Sequence, residues 1–421
     1  MRALAFALIL VPTIAVAEPL PHAAPEAVGF SAARLEQITE YARREVEAGR
    51  LAGVVTMVAR HGRVVHFEAV GQYGVDNDRP MDRDALFRIF SMTKPVTTVA
   101  AMMLYEEGAF HLGDPVSKYL PEFADQTVYH DGEIVPVSDE MTIEQLMTHT
   151  AGLTYGGIDE HPVEVAYTEA KLWESADLDE FVGRLAAIPL RFEPGTRYHY
   201  SVATDVLGAV VERLSGESLD DFFRTRIFEP LGMHDTFFNV PDDKLDRLVS
   251  NHYWDAEAGA LALLDPGYAS APNGVTLFTG GAGLKSTASD YMIFSEMLRN
   301  GGSYGGVRIL GPKTVQYMRM PQITQAVRDE ASDEYPAYHL YPGQSFGLGF
   351  GVITDPGQSG VVSSRGEYSW GGAANTKFWI DPEEDLVAIL MSQIMGSPWS
   401  DATRFSMKVA TYQALTDLHS D

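Results

Sequence analysis

Apolar residues recur along this chain with two periods, and the order of those periods divides it. Val96, Val99, Ala100, Met103 and Leu104 fall at the i, i+3, i+4 spacing of one helix face, between Pro95 and Gly108. Proline fits only near a helix start, where its missing N–H costs nothing, and glycine suits the left-handed residue just past the end. The pattern over residues 31–48 is also helical. Residues 54–59 and 64–70 read instead as strands joined by a His61-Gly62 turn, a hairpin. A second hairpin stands near the other end, residues 376–380 and 386–392 around Asp381-Pro382-Glu383-Glu384, and a helix over 401–415 follows.

Strands at both ends with a mostly helical middle imply an α+β fold in which the two ends meet in one antiparallel sheet. Residues 25–107 and 285–421 then form a sheet subdomain and residues 108–284 a mostly helical one, within a single domain. In the middle, residues 142–148 read as a helix leading into His149-Thr150-Ala151-Gly152-Leu153. A Pro194-Gly195 turn presents Tyr198 and Tyr200 just before another helix. No repeat or low-complexity linker interrupts the pattern.

Residues 1–17 hold one basic residue, an apolar run and an Ala15-Val16-Ala17 ending, the pattern of a cleaved secretory leader. Glu18-Pro19-Leu20-Pro21 cannot continue a helix, and no later apolar run is long enough to cross a bilayer. The 421 residues include no cysteine, which removes disulfides, lipid-anchoring thiols and thiolate metal sites. Export without disulfides predicts a bacterial periplasmic or secreted protein. With 31 basic against 58 acidic residues the net charge is −27, which argues against nucleic acid and anionic membranes as partners.

Chemistry concentrates at Ser91 and Lys94, three apart at the start of the first central helix. Residues at that spacing share a face with Cβ atoms roughly 5–6 Å apart, so the lysine reaches the hydroxyl and can activate it as a nucleophile. The helix start adds N–H donors for an oxyanion. Ser-x-x-Lys is a weak motif alone, but no other lysine in the chain has a serine three residues before it. Tyr198 and Tyr200 are candidate bases if a cation such as Lys94 stabilises a phenolate, and packed aromatics otherwise. His149 reads as a residue that pins its loop. Gly343-Gln344-Ser345-Phe346-Gly347 matches the nucleophile elbow of α/β-hydrolases, yet a strand pattern follows it rather than a helix, and His419 is the only histidine downstream. Ser345 is therefore rejected. No metal or nucleotide motif is present, and no cofactor is expected.

Ser91-Met92-Thr93-Lys94, Leu146-Met147-Thr148-His149-Thr150-Ala151-Gly152-Leu153, Tyr198-His199-Tyr200-Ser201, Phe228-Glu229-Pro230-Leu231-Gly232-Met233, Gly281-Ala282-Gly283-Leu284-Lys285-Ser286 and Trp370-Gly371-Gly372 occur in this order. As a set they resemble the serine β-lactamase and penicillin-binding superfamily, class C-like branch, and within it most closely the family VIII carboxylesterases and related acyltransferases. The resemblance implies a β-lactamase-like fold, with Ser91 as nucleophile, Lys94 in its proton network and Tyr200 as general base, Tyr198 being the runner-up. It further implies an oxyanion hole from the N–H groups of Ser91 and Ala373, with Trp370, Gly371 and Gly372 on the strand that faces the serine.

Two departures from the superfamily pattern bear on substrate. Val202 stands where asparagine is common, and neutral Trp370 stands where a cation would hold the carboxylate of a penicillin or a D-alanyl peptide. Both favour an uncharged ester with a small acyl group. The implied activity is ester hydrolysis through an acyl-enzyme, with transfer to alcohols as an extension, on a small-molecule ester. The alternatives are a β-lactamase or D-alanyl-D-alanine carboxypeptidase, and a non-catalytic peptidoglycan-binding protein.

Overall fold

The computed structural model describes residues 19–419 except 266, 268, 269 and 331–339, so the leader expected at residues 1–17 lies outside the described residues. In chain order, α1 (Ala32–Glu47) precedes β1 (Gly53–Arg60), β2 (Arg63–Gly74), β3 (Asn77–Pro80) and α2 (Thr93–Glu106). Next come α3 (Ala203–Ser215) and α4 (Ala288–Arg299), then β4 (Gln344–Phe346), β5 (Gly351–Ile353), β6 (Tyr368–Gly371), β7 (Lys377–Asp381), β8 (Leu386–Ser392) and α5 (Ser400–Tyr412). Shorter helices and strands fill the connections. The eight strands form one antiparallel sheet in the order β4-β5-β6-β7-β8-β1-β2-β3, so the first hairpin completes a sheet laid down by the end of the chain.

The β1–β2 hairpin closes through His61 at φ +53° and Gly62 at φ +67°, two successive left-handed residues that match the twist of the strands they join. All of β1 is buried, as in a sheet covered on both faces. Val54 and Val58, with Leu386, Ala388 and Leu390 of β8, pack into a cluster with Leu35 and Ile38 of α1 and Met407 of α5. Val55, Met57 and Ala59, with Val387, Ile389 and Met391, face the other way into the core that contains α2 and α4. Register is fixed by this alternation, because a slip of one residue would exchange the two faces.

Residues 93–104 of α2 are all buried, so the helix is enclosed rather than laid with one apolar face inward. Its polar side chains satisfy backbone groups: Thr97 Oγ1 donates to Gly280 O (2.7 Å), Thr98 Oγ1 donates to Lys94 O (2.9 Å), and Thr93 Oγ1 accepts from Leu284 N (3.2 Å). Gly108, at φ +77°, follows the helix end as its punctuation predicts. The middle of the chain is less helical than its pattern suggests. Thr127–His130 pairs with Glu133–Pro136, and His252–Asp255 pairs with Ala260–Leu263 and, in parallel, with Ile394–Met395. Strands of four residues are too short to impose a recognisable period. Among the described residues no helix is long and apolar enough to cross a membrane.

Candidate active site

Ser91 sits in a 3-10 turn, Phe90–Met92, that runs directly into α2, one turn earlier than the α-helix itself. Phe90 is left-handed at φ +44°, a conformation that costs a bulky residue of order 1–3 kcal/mol. Its neighbours hold it there. Ile89 N donates to Leu284 O (3.0 Å), Thr376 Oγ1 donates to Ile89 O (3.3 Å), and Tyr291 OH donates to Met92 O (2.8 Å). Ser91 is thus fixed on a strained corner between α2 and the sheet.

Lys94 is 1 % exposed, and its Nζ has three partners: Ser91 Oγ at 3.4 Å, Tyr155 OH at 2.7 Å and Gly281 O at 2.8 Å. An ammonium has three donors, so these contacts account for it. The long bond to Ser91 is the weakest, as is common before substrate tightens a site. Lys94 also lies over the face of Tyr200, 4.7 Å from the ring centroid.

The carbonyl that receives Lys94 is held from behind. Gly281 N donates to Asp205 Oδ1 (2.9 Å), and a Cβ at position 281 would come within 2.5 Å of Asp205 Oδ2. Only glycine fits that approach. Asp205, in the first turn of α3, is fully buried; burial pushes its carboxyl up to about 6, against the opposing pull of the Lys94 charge.

Tyr200 is nearly buried, and its hydroxyl oxygen accepts a hydrogen bond from Trp370 Nε1 (3.1 Å). Tyr198, the other candidate base, packs against Phe346 and His149, and burial holds its hydroxyl well above the usual tyrosine range. His149 pins the loop beneath them. Its backbone is left-handed at φ +55°, its carbonyl accepts from His199 N (2.8 Å), and its Nδ1 accepts from Ser201 N (3.3 Å). Burial, reinforced by the Lys94 charge, keeps that imidazole neutral. Its ring lies 4.5 Å from that of Tyr200 and so forms a floor for it.

Trp370 and Gly371 end β6, and Gly372 begins the turn beyond it. A Cβ on Gly372 would lie 2.3 Å from Ile89 O and 2.2 Å from Thr376 Oγ1, so the turn is pressed against the segment that leads into Ser91. Ala373 follows and is exposed. The structure alters one sequence argument, that on Val202, and agrees with another, the rejection of Ser345. Val202 is fully buried at the start of α3, with its N–H directed to Thr154 O (3.4 Å), so core packing accounts for its apolar character and its weight in the substrate argument falls. Ser345 lies on β4, which pairs with β5, and its buried Oγ has no partner among the described residues; this is a strand position, not an elbow.

The sequence reading missed Tyr155 and Asp205. Asp205 had a signal, since it is the one charged residue in the stretch Val202–Val211, where Thr204 is the only other polar side chain. Tyr155, in an irregular loop after Leu153, had none. Among the described residues no group of three or more His, Cys, Asp or Glu is placed to hold a metal.

The Beta-lactamase family model matches residues 38–411. A protein of Mycobacterium tuberculosis described as uncharacterized is 35 % identical over 360 residues, covering 83 % of this chain and 88 % of that one. Esterase EstB of Burkholderia gladioli is 31 % identical over 399 residues, covering 90 % and 95 %. Among solved structures, EstCE1, described as a hydrolase with promiscuous acyltransferase activity, superposes with a TM-score of 0.77 at 28 % identity, covering 90 % of this chain and 99 % of that one. The chain belongs to the Beta-lactamase family.

Proposed function

We propose that this protein is a serine carboxylesterase that works by acyl transfer through Ser91, on small-acyl esters, and that it is exported by its amino-terminal leader. The observation that carries the reading is the placement of Lys94. One ammonium bridges Ser91 and Tyr155, lies on the ring of Tyr200, and is anchored by Gly281. The esterase and hydrolase descriptions of EstB and EstCE1 support it.

In acylation, Ser91 Oγ attacks the ester carbonyl carbon while its proton passes to the oxygen of Tyr200 acting as a phenolate, whose negative charge Lys94 and the Trp370 N–H stabilise until the proton neutralises it. The carbonyl oxygen becomes an oxyanion at the N–H groups of Ser91 and Ala373. Collapse breaks the bond to the alcohol oxygen, which leaves with the proton from Tyr200. Water then repeats the sequence on the acyl-serine and releases the acid; an alcohol in its place gives a new ester, the transfer that the EstCE1 description mentions.

Trp370 decides between substrates. It places a neutral aromatic wall, half-buried and bonded to Tyr200, at the strand position where a β-lactam or D-alanyl peptide would need a cation. Initial rates on p-nitrophenyl butyrate and on a chromogenic cephalosporin test the reading. The ester should be favoured by about 100-fold or more in kcat/KM; preference for the cephalosporin would move the assignment to β-lactam or cell-wall amide chemistry.

A further inference from the structure

We propose that Arg404 is a positioning residue for acyl transfer: from α5 it fixes and polarises the Gly372–Ala373 peptide so that the Ala373 N–H is presented to the oxyanion. This rests on the reading of Ser91 and Ala373 as the oxyanion site.

The geometry is that of one cation on two neutral carbonyls. Arg404 Nη2 donates to Gly372 O at 2.6 Å and to Thr376 O at 3.2 Å. Among the described residues no carboxylate is within ion-pair distance of the guanidinium, and its Nε is buried without a partner. Asp401 and Tyr341 act on it only through space. Its flat group packs beneath the strand end, 3.3 Å from where a Gly371 Cβ would stand.

The carbonyl of Gly372 and the N–H of Ala373 belong to the same peptide unit. No peptide in the described chain is cis, so within that planar unit the two groups point in opposite directions. Drawing the Gly372 oxygen toward Arg404 therefore turns the Ala373 N–H away from Arg404. Gly372 itself abuts the carbonyl of Ile89, two residues before Ser91, so this peptide lies beside the nucleophile's segment. A positive charge on the carbonyl also draws electron density from the amide, which makes its N–H a stronger donor.

Closure of the turn does not need the cation. Asn375 N already donates to Gly372 O (3.1 Å), Gly372 N donates to Thr376 O (2.9 Å), and Ile394 N donates to Ala374 O (3.1 Å). A partly desolvated guanidinium bonded only to carbonyls is a costly way to hold a turn that three backbone bonds already close. Its effect falls on the Ala373 N–H, the donor that the oxyanion reading uses.

The test uses the full chain with Arg404→Gln and Arg404→Lys, following single-turnover acylation by p-nitrophenyl butyrate and inhibition by butylboronic acid, which forms a tetrahedral adduct on serine. For Arg404→Gln, acylation kcat/KM and boronate affinity should fall together by about 10- to 100-fold, while KM stays within about threefold and the fraction of titratable sites is unchanged. Arg404→Lys, which keeps a charge without the planar fork, should lie between the Gln variant and wild type. A structural role alone would lower the melting temperature and the titratable fraction and leave boronate affinity per active site as in wild type, which overturns the proposal. If the Gln variant does not fold, the Lys variant decides: a coupled fall in acylation and boronate affinity supports the assignment, and wild-type values in both refute it. Failure of the esterase reading itself is distinct, since wild-type protein would then take no acyl group at all.

Discussion

Trp370→Phe tests the bond from the indole to Tyr200. The Trp370 indole N–H is 3.1 Å from the Tyr200 oxygen, and its ring is 5.3 Å from the Tyr200 ring and 5.0 Å from that of Phe346. Phenylalanine keeps an aromatic ring in that contact and removes the donor together with part of the indole's packing surface. A hydrogen bond to a neutral oxygen contributes about 1 kcal/mol and one to a charged oxygen about 1.5–3 kcal/mol. Only the difference between reaction states alters the rate, so a loss of about 0.5–2 kcal/mol is expected, which is a fall of about 2- to 30-fold in kcat/KM for acylation. Stopped-flow release of p-nitrophenol from a short-chain ester measures it, with thermal melting as a check on folding. Acylation by the folded variant within about twofold of wild type would mean that no charge changes at the Tyr200 oxygen in that step, and Tyr200 would lose its assignment as base.

Tyr155→Phe removes the shortest partner of Lys94, at 2.7 Å; kcat should fall by about tenfold with little change in KM, read from steady-state kinetics on the same ester. Gly372→Ala should be far more damaging than Gly371→Ala. Its methyl would meet Ile89 O at 2.3 Å and Thr376 Oγ1 at 2.2 Å, whereas at position 371 the nearest atom is Thr376 O at 3.0 Å, and melting temperatures with residual activity give the ranking. Asp290 accepts from Asp235 N (2.7 Å) and Thr236 Oγ1 (2.9 Å), and burial raises its carboxyl to about 7. A carboxyl raised on folding binds its proton more tightly in the folded state, so between its unfolded value of about 4 and about 7 stability falls as pH rises. Denaturant titrations of Asp290→Asn, which keeps the acceptor oxygen, should therefore show the variant gaining on wild type as pH rises through that window; a constant difference would refute the assignment.

The sheet was legible because its central strands are buried on both faces: Val54 to Ala59 and Leu386 to Ser392 form apolar runs with few other readings, each beside an obvious turn. The α2 helix was legible for the same reason, but its apolar stripe understated its burial, because Thr93 and Thr97 bond backbone groups that only the fold brings near, while Thr98 bonds Lys94 O one turn back in its own helix. Ser91 and Lys94 are close in sequence, so helical spacing alone pairs them. Tyr155, Asp205, Gly281 and Trp370 reach the same point from four separate segments. Gly281 and Trp370 stand in the ordered motifs and Asp205 is the lone acid of its stretch, but that they meet depends on pairings such as Lys94 with Gly281, 187 positions apart, which no local pattern encodes. The small strand pairs of the middle failed to show because four residues give no period. Val202 entered the substrate argument as a missing polar contact, whereas in the fold it is a buried packing position, a difference that its apolar character does not show in the sequence.

The most direct measurement is intact-protein mass spectrometry of wild type and Ser91→Ala after brief exposure to p-nitrophenyl butyrate, with p-nitrophenol release followed in parallel. The account predicts a burst and a butyryl adduct on wild type, and neither on the variant. An adduct that persists in Ser91→Ala would place the nucleophile elsewhere and reopen Ser345, and a wild-type protein that neither releases product nor gains mass would contradict the esterase assignment.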